Sequence, residues 1–368
     1  MHERLGRLRA LFSEHELDAL LITSTDNRRY FSGFTGSAGA LLIMPQQALL
    51  LTDFRYRTQS LREAPAFERR EISAKQPLTH TVAEIARELG LHCLGFEADD
   101  VSVALFEKLR DVLQEAEDAP GTALCGLTDG GVDALREVKE DAELALLRQA
   151  IAITDAALAA VLPALRPEQT ERQAAWMLEG AMRERGADGI SFPIIVAAGT
   201  NAALPHARPT DACLGTHQPI IIDMGASYQG YHADLTRTVV LGEPDARFWQ
   251  VYQVVLDAQE HAITHIYDGI ATADADALAR DCIEEAGFGE SFGHSLGHGV
   301  GLNVHEGPRL SARDKKTLHV GMVFSLEPGI YLPDWGGVRI EDLVLLQPTG
   351  VAVLSQAPKM PHLSYHIA

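Results

Sequence analysis

The sequence predicts an α+β protein with two domains, a smaller one over residues 1–125 and a larger one over residues 126–368. Strand and helix signals alternate through roughly the first 120 residues, which is typical of an α/β domain. Pairs of long helices and separate strand-like segments follow. The turn-forming Ala119-Pro120-Gly121 interrupts the periodicity and marks the boundary. A chain of 368 residues is also long enough for two domains.

The first domain is predicted to begin with a helix and to continue with buried strands. Leu5, Leu8 and Phe12 recur at helical spacing and predict an amphipathic helix over residues 3–16. Glycines bound two short apolar runs, which predict buried strands at residues 19–22 and 40–43.

The second domain combines two helical pairs with strands. An apolar face over residues 147–161 predicts the first helix. Thr170-Glu171-Arg172-Gln173 is a capping box, in which the Thr and Gln side chains bind free amides at the start of the next helix. The second pair is predicted at residues 247–266 and 274–286. Strands are predicted at residues 194–197, 220–224, 231–241, 322–327 and 338–346.

The charge balance argues against nucleic acid as a partner. The chain has 51 acidic and 31 basic residues, a net charge of −20, whereas binding to a phosphate backbone needs clustered Lys and Arg. No apolar run approaches the roughly 18–20 residues that cross a bilayer. The charged start Met1-His2-Glu3-Arg4 does not match an export signal. We therefore expect a cytoplasmic protein without a membrane partner.

The cysteines predict neither a disulfide framework nor a zinc site built from thiolates. They lie far apart in the chain and form no C-x-x-C motif. The four residues are Cys93, Cys125, Cys213 and Cys282.

Two aspartates occur where the sequence predicts a buried hairpin. Asp223 follows two isoleucines inside an apolar strand, and Asp234 lies in the next strand. A carboxylate in such a place needs a partner or a metal. A hairpin centred between Tyr228 and Gln229 would place the aspartates directly opposite each other, with Cβ atoms about 4.5–5.5 Å apart. Carboxylates this close repel each other unless a proton or a cation intervenes.

The same construction recurs with two glutamates. Glu327 ends one apolar run and Glu341 lies within another, and a hairpin centred on Asp334 again places the carboxylates opposite each other. A glycine-rich segment lies between the two acidic hairpins. It carries three imidazoles, His294, His298 and His305.

Four carboxylates and one imidazole suit two divalent cations, because the cations balance the four negative charges. Oxygen-rich ligation with a single imidazole favours Mn²⁺, with Co²⁺, Fe²⁺ or Zn²⁺ as alternatives. Two metals about 3.5–4 Å apart would lower the pKa of a bridging water and supply a hydroxide nucleophile.

These segments resemble those of the pita-bread metallopeptidases. The matching motifs keep the family's order and spacing, and they are Leu204-Pro205-His206, Ile222-Asp223-Met224-Gly225, Asp234-Leu235-Thr236-Arg237-Thr238, His294-Ser295-Leu296-Gly297-His298-Gly299, Val304-His305-Glu306, Leu326-Glu327-Pro328-Gly329-Ile330-Tyr331 and Arg339-Ile340-Glu341-Asp342. The N-terminal region resembles the creatinase-type α/β domain through Asn27, Tyr30-Phe31-Ser32-Gly33-Phe34, Gly36 and Asp53-x-Arg55-Tyr56. Together they point to the two-domain Xaa-Pro peptidases, which are prolidase-like or aminopeptidase P-like. The resemblance implies a pita-bread catalytic domain preceded by the smaller creatinase-like domain.

The resemblance also implies a role for each matching residue. The metal ligands would be Asp223, Asp234, His298, Glu327 and Glu341, with Asp234 and Glu341 bridging. Glu327 would also carry a proton from the nucleophilic water to the leaving amine. His206 and His305 would bind the substrate carbonyl, and His294 would line the pocket.

Three further residues are candidates for substrate binding. Arg309 lies where some prolidases hold the C-terminal carboxylate of a dipeptide, for which an arginine is well suited. Tyr331 and Arg339 are the other two, with packing for Tyr331 and an ion pair for Arg339 as the alternative interpretations.

The implied function is a dinuclear metallo-exopeptidase that hydrolyses the first peptide bond of short peptides, with proline second. We expect a homodimer, because two-domain relatives commonly dimerise. Three alternatives are weighed against this function. The first is an aminopeptidase of the same family without a requirement for proline. The second is a metal-free binding module on the same fold. The third is a serine hydrolase, because Gly293-His294-Ser295-Leu296-Gly297 matches G-x-S-x-G, although the flanking glycines do not provide the strand and helix this motif needs.

Overall fold

The computed structural model describes residues 2–114, 121–128 and 131–363. The chain forms two compact units, residues 1–136 and residues 137–368. The predicted boundary between residues 125 and 126 would cut a strand, Ala123–Leu127, that pairs with its neighbour in the first unit. Residues up to 136 belong to that unit because the Arg136 guanidinium hydrogen-bonds Asn27. Of the predicted turn, Ala119 and Pro120 lie outside the described residues.

The first unit is an α/β domain, as the sequence predicts. Its helices are α1 (His2–Glu14), α2 (Thr25–Ser32), α3 (Arg57–Glu63), α4 (Leu78–Leu89) and α5 (Val103–Gln114). Its strands are β1 (Ala19–Ile22), β2 (Ala40–Ile43), β3 (Ala48–Thr52), β4 (Glu68–Glu71), β5 (Cys93–Glu97) and β6 (Ala123–Leu127). They form one mixed sheet in the order β4-β3-β2-β1-β5-β6. The apolar runs predicted as strands are β1 and β2, and every residue in them is buried.

Two cysteines of the first unit are paired, and the expectation of no disulfide is therefore wrong for them. Cys93 on β5 and Cys125 on β6 form a disulfide, with Cα atoms 6.6 Å apart. Cys125 lies opposite Gly95, two residues along β5 from Cys93, so both side chains lie on one face of the sheet. Cys213 and Cys282 are free thiols.

The second unit contains the two predicted helical pairs. They are α6 (Asp141–Val161) with α7 (Glu171–Glu184), and α8 (Ala246–His265) with α9 (Thr272–Glu285). The capping box at the start of α7 is confirmed. The Gln173 amide N–H donates to Thr170 Oγ1 at 3.2 Å, and the Thr170 amide N–H donates to Gln173 Oε1 at 2.9 Å.

Helix α6 differs from the expectation that no apolar segment of the chain is long enough to cross a bilayer. Residues 141–164 are long and apolar enough to do so by length and composition, with a mean hydropathy of 1.6. The buried face of α6 includes Ile153, Ala157 and Leu158, which pack in a core with residues of α7 and of the sheet. This packing accounts for the apolar face without a bilayer.

The strands of the second unit form several sheets. Helices α6 and α7 pack with strand residues in one hydrophobic core, and helices α8 and α9 pack with strand residues in another. The strands are β7 (Gly189–Ile190), β8 (Ile195–Ala198), β9 (Ile220–Met224), β10 (Ala226–Tyr228), β11 (Tyr231–His232), β12 (Leu235–Leu241), β13 (Gly297–Gly299), β14 (Glu306–Leu310), β15 (Val323–Leu326), β16 (Gly329–Leu332), β17 (Gly336–Arg339), β18 (Asp342–Gln347), β19 (Gly350–Val353) and β20 (His362–Leu363). Their orders are β11-β10-β7, β20-β12-β9-β8, β14-β13-β15-β18-β19 and β16-β17. The two acidic hairpins are therefore β9–β12 and β15–β18.

Candidate metal centre

The first acidic hairpin turns one residue later than predicted. Gln229 and Gly230 both have positive φ, 45° and 75°, and they form the two-residue turn between β10 and β11. Such a turn requires positive φ at both positions, and this favours glycine at the second. Asp223 therefore faces Thr236, and the prediction that it directly faces Asp234 is wrong.

The shift leaves both aspartates on the same face of the sheet. Moving the centre of the hairpin by one residue shifts the cross-strand partner of each residue by two positions. Because side chains alternate between the two faces with a period of two, the face on which each side chain lies is unchanged. In the observed register Asp234 lies opposite Gly225, so Asp223 and Asp234 are diagonal neighbours. A Cβ on Gly225 would lie 1.8 Å from the Ala233 carbonyl oxygen. Only glycine permits this close approach of the two strands.

The second acidic hairpin has the predicted register. Gly329 pairs with Arg339 and Leu332 pairs with Gly336, so the centre at Asp334 is confirmed. The same register continues beyond the glutamates, where Leu326 pairs with Asp342. Glu327 and Glu341 thus lie opposite each other, between two stretches of regular pairing.

The structure brings together the carboxylates of both hairpins and one imidazole. Ligand atoms of Asp234, His298 and Glu341 all lie within 4.8 Å of one another, and these residues are candidates for holding a metal ion. His298 Nε2 is also 3.4 Å from Glu327 Oε1. The His298 ring is oriented by its other nitrogen, because Nδ1 lies 3.1 Å from the Gly299 carbonyl oxygen, to which it donates.

Asp223 and Glu341 each have one carboxylate oxygen that accepts a hydrogen bond and one that does not. Asp223 Oδ2 accepts from Arg339 at 2.7 Å, and Glu341 Oε2 accepts from the Thr236 hydroxyl at 2.8 Å. Asp223 Oδ1 and Glu341 Oε1 are buried and have no hydrogen-bond partner among the described residues. A buried oxygen without a donor is costly, and a cation would satisfy both. The donor set therefore fits divalent metal ions.

The electrostatics of the cluster also fit cations. Burial, and then the neighbouring carboxylates, raise the pKa of Asp234 and Glu341 well above the ordinary values. Burial raises the pKa of Glu327 to about 8. Burial also lowers the pKa of His298 to about 4, which keeps the imidazole neutral, as a metal ligand must be. The carboxylates repel each other without cations, and cations would relieve this repulsion.

Ser325 links two of these residues and was not identified from the sequence. Its hydroxyl accepts from the His298 backbone N–H at 3.1 Å and donates to Glu327 Oε1 at 3.3 Å. The available signal was a polar residue inside the apolar run Val323–Leu326, which is fully buried in the structure.

Arg339 forms the ion pair that was weighed as its alternative role. The side chain is 3% exposed, and Nη2 of its guanidinium donates to Asp223 Oδ2. Nε donates to Thr236 Oγ1 at 3.1 Å, and Nη1 donates to the Tyr331 hydroxyl at 2.8 Å. Every nitrogen of the guanidinium thus has an acceptor within the protein.

Tyr331 connects this arginine to His294. The Tyr331 hydroxyl lies 2.9 Å from His294 Nε2, and His294 Nδ1 lies 2.8 Å from the Ser295 carbonyl oxygen. Because the carbonyl can only accept, Nδ1 carries the proton and Nε2 accepts from Tyr331. Burial lowers the pKa of His294 to about 4, which agrees with a neutral ring.

A cavity of about 730 Å³ opens onto the cluster. His206, His305 and Arg309 are exposed residues of its lining. The ring of His305 lies 4.4 Å from that of His298, and Arg309 lies opposite His298 in the pairing of β13 with β14. Sequence reasoning did not identify three more arginines in the lining, Arg208, Arg280 and Arg313.

The serine-hydrolase motif lacks its required context. Ser295 follows a short 3₁₀ turn at Gly289–Ser291 and precedes the strand β13. A nucleophile elbow needs a strand before the serine and a helix after it. The geometry around Ser295 therefore argues against this alternative.

Comparisons with known proteins cover nearly the whole chain. Residues 145–348 match Metallopeptidase family M24, and residues 4–138 match the Creatinase/Prolidase N-terminal domain. The uncharacterized peptidase YqhT of Bacillus subtilis is 40% identical over 97% of this chain and 98% of its own length. The Xaa-Pro dipeptidase of Pyrococcus furiosus is 33% identical over 98% of this chain and 99% of its own.

Solved structures give the same result. An Xaa-Pro dipeptidase from Bacillus anthracis superposes with a TM-score of 0.93 at 38% identity, covering 98% of this chain and 99% of its own. An X-Pro aminopeptidase from Thermotoga maritima superposes with a TM-score of 0.87 at 37% identity, covering 97% of this chain and 99% of its own.

Proposed function

We propose, from the premise that this chain belongs to metallopeptidase family M24, that it hydrolyses the N-terminal peptide bond of short peptides whose second residue is proline. The main observation behind the proposal is that two buried acidic hairpins and His298 lie close together beneath an open cavity. Relatives named as Xaa-Pro dipeptidases cover almost the full chain and support the proline specificity.

Five side chains would hold the cations. They are the carboxylates of Asp223, Asp234, Glu327 and Glu341 and the imidazole of His298. When bound, two divalent cations lower the pKa of a water molecule and polarise the scissile carbonyl. We favour Mn²⁺, because four carboxylates and one imidazole form an oxygen-rich set, with Co²⁺, Fe²⁺ and Zn²⁺ as alternatives.

Glu327 is the residue we assign to proton transfer. Its Oε1 lies 3.4 Å from His298 Nε2 at the edge of the metal site, where a carboxylate can accept a proton from a bound water and donate it again. In the proposed reaction its carboxylate takes a proton from the attacking water and gives it to the nitrogen of the leaving proline. Ser325 restricts this carboxylate through its hydrogen bond to Oε1.

The remaining cavity residues bind the peptide in this proposal. His206 and His305 are exposed to the cavity and would donate to the carbonyl oxygen as negative charge develops on it. Arg309 would pair with the C-terminal carboxylate of a dipeptide. Arg339 and Tyr331 are engaged within the protein, and we assign them to the positioning of Asp223 and His294.

A panel of three peptide classes tests the proposed function. The protein is first treated with a chelator, which should abolish hydrolysis, and Mn²⁺ is then added back. We expect restored cleavage of Xaa-Pro and Xaa-Pro-Yaa peptides, and little cleavage of Xaa-Leu-Yaa. Preference for the dipeptide would support carboxylate binding by Arg309. Equal cleavage of Xaa-Leu-Yaa would favour the broad aminopeptidase instead, and hydrolysis without metal would contradict the proposal.

We also propose that the protein is a cytoplasmic homodimer that acts on peptides and binds neither nucleic acid nor membrane. The net charge of −20 supports the absence of a nucleic-acid partner. The Cys93–Cys125 disulfide argues against a cytoplasmic location, because disulfides are rare in the reducing cytosol. Light scattering and a thiol titration of the native protein would test the dimer and the redox state.

A further inference from the structure

Gln259 of α8 is a buried polar residue outside the set of metal ligands. Its side chain is 0% exposed. Its amide Nε2 donates to two backbone carbonyl oxygens, that of Leu326 at 2.9 Å and that of Ile340 at 3.2 Å. Both acceptors are carbonyls, so the nitrogen of the amide must be the atom that faces them.

The two carbonyls immediately precede the glutamates of the second acidic hairpin. Leu326 ends β15 and is followed by Glu327, and Ile340 lies between β17 and β18 and is followed by Glu341. Next to the glutamates the hydrogen bonding between these two strands is weak, because the Ile340 N–H lies 3.4 Å from the Pro328 oxygen and Pro328 has no N–H to donate in return. One side chain from the helix thus bridges the two strands where their own pairing is stretched.

The buried amide of Gln259 has both a cost and a benefit for stability. Its Oε1 is buried and has no hydrogen-bond partner among the described residues. An unpaired buried oxygen destabilises the folded state, whereas the two hydrogen bonds of Nε2 satisfy buried carbonyl oxygens that an apolar residue would leave without this donor. In some proteins a polar group retained in the core specifies a particular geometry, and the two bonds of Gln259 join the strands that lead into Glu327 and Glu341.

We infer that Gln259 is a positioning residue, which fixes the separation of Glu327 and Glu341 by holding the two preceding carbonyls. Because both glutamates are metal ligands only under the proposed function, this inference rests on that function. Gln259 is fully buried, and it is not among the described residues that line the cavity. It therefore acts on the cations through the strands and not on the substrate.

The test compares Gln259→Met with Tyr252→Phe. Met has a similar length but no donor. Tyr252 is on the same helix and is buried, and its hydroxyl has no partner among the described residues, so Tyr252→Phe controls for loss of a buried polar group. Titration calorimetry with Mn²⁺ alone, on protein stripped with a chelator, should give about 10–100-fold weaker binding for Gln259→Met. The control should match the unaltered protein.

Two more readouts separate positioning from a general loss of structure. The visible absorption spectrum of the Co²⁺-loaded protein should change in Gln259→Met and not in Tyr252→Phe. At saturating Mn²⁺, kcat should fall while KM for an Xaa-Pro peptide stays within about twofold, because the substrate contacts are unchanged. If Gln259→Met does not fold, Gln259→Asn keeps the amide but is too short to reach both carbonyls, and its Mn²⁺ binding should also be weakened.

Unchanged Mn²⁺ affinity and an unchanged Co²⁺ spectrum in the folded variant would overturn the positioning role. This failure is distinct from failure of the proposed function. In the latter case the unaltered protein itself would neither bind Mn²⁺ nor cleave Xaa-Pro peptides.

Discussion

The two acidic hairpins present the same number of carboxylates but orient them differently. In the first, Asp223 and Asp234 are diagonal neighbours, and the strands approach closely at Gly225. In the second, Glu327 and Glu341 lie directly opposite each other in an uninterrupted register. Gln259 also bridges the backbones of the two strands that lead into these glutamates.

Each hairpin also orients a carboxylate of the other. Arg339, on β17 beside the second hairpin, donates to Asp223, and Thr236 of the first hairpin donates to Glu341. Arg339 and Thr236 further contact each other at 3.1 Å. The hairpins therefore form one mutually supported unit, and a change in either should affect carboxylates of both.

The largest expected effect comes from Glu327→Gln in the second hairpin. The amide keeps an oxygen for a cation but cannot accept and return a proton, so turnover should fall about 10²–10⁴-fold while most of the metal is retained. Steady-state kinetics and elemental analysis of the same sample would measure both quantities. The facing variant Glu341→Gln is the comparison, and it should lose metal, because an amide offers one ligand oxygen and cannot bridge two cations as the Glu341 carboxylate is proposed to do. Near-normal kcat in Glu327→Gln would remove its assigned role.

The contact between the hairpins is tested by Arg339→Met. This change leaves Asp223 without its donor in a buried site, and breaking a buried ion pair typically costs about 3–5 kcal/mol. We expect that decrease in the free energy of unfolding of the metal-free protein, measured with urea. The control is Arg172→Met, since the Arg172–Asp211 pair is 47% and 78% exposed and should contribute below about 1 kcal/mol. Similar losses in the two variants would argue against mutual support.

A smaller effect is expected from Gly225→Ala in the first hairpin. The added Cβ meets a backbone oxygen at 1.8 Å, so the strands must separate, and such overpacking typically costs about 1–3 kcal/mol. Gly180→Ala on α7 is the matched control, because a Cβ added there would meet no atom within 4 Å, and it should stabilise by about 0.5–1 kcal/mol. Thermal unfolding of both variants measures the difference, and a neutral Gly225→Ala would mean that the close approach is not required.

Much of the fold follows from local sequence patterns. The apolar runs of β1 and β2, the strand β9 and the capping box of α7 are all recognisable over a few residues. The second hairpin was also predictable, because its apolar runs are symmetric about Asp334.

The features that sequence analysis missed depend on distant partners or on backbone conformation. The first turn places a residue other than glycine, Gln229, at positive φ, and no propensity indicates this. Gln259 and Leu326 are separated by 67 residues, so nothing local indicates their hydrogen bond. The pairing of Cys93 with Cys125 depends on β5 and β6 being neighbours in the sheet.

Diffraction from crystals grown with Mn²⁺, recorded at the manganese absorption edge, tests the metal centre most directly. We expect two adjacent anomalous peaks enclosed by both acidic hairpins and His298. Peaks elsewhere on the protein, or no peak between the four carboxylates, would contradict it.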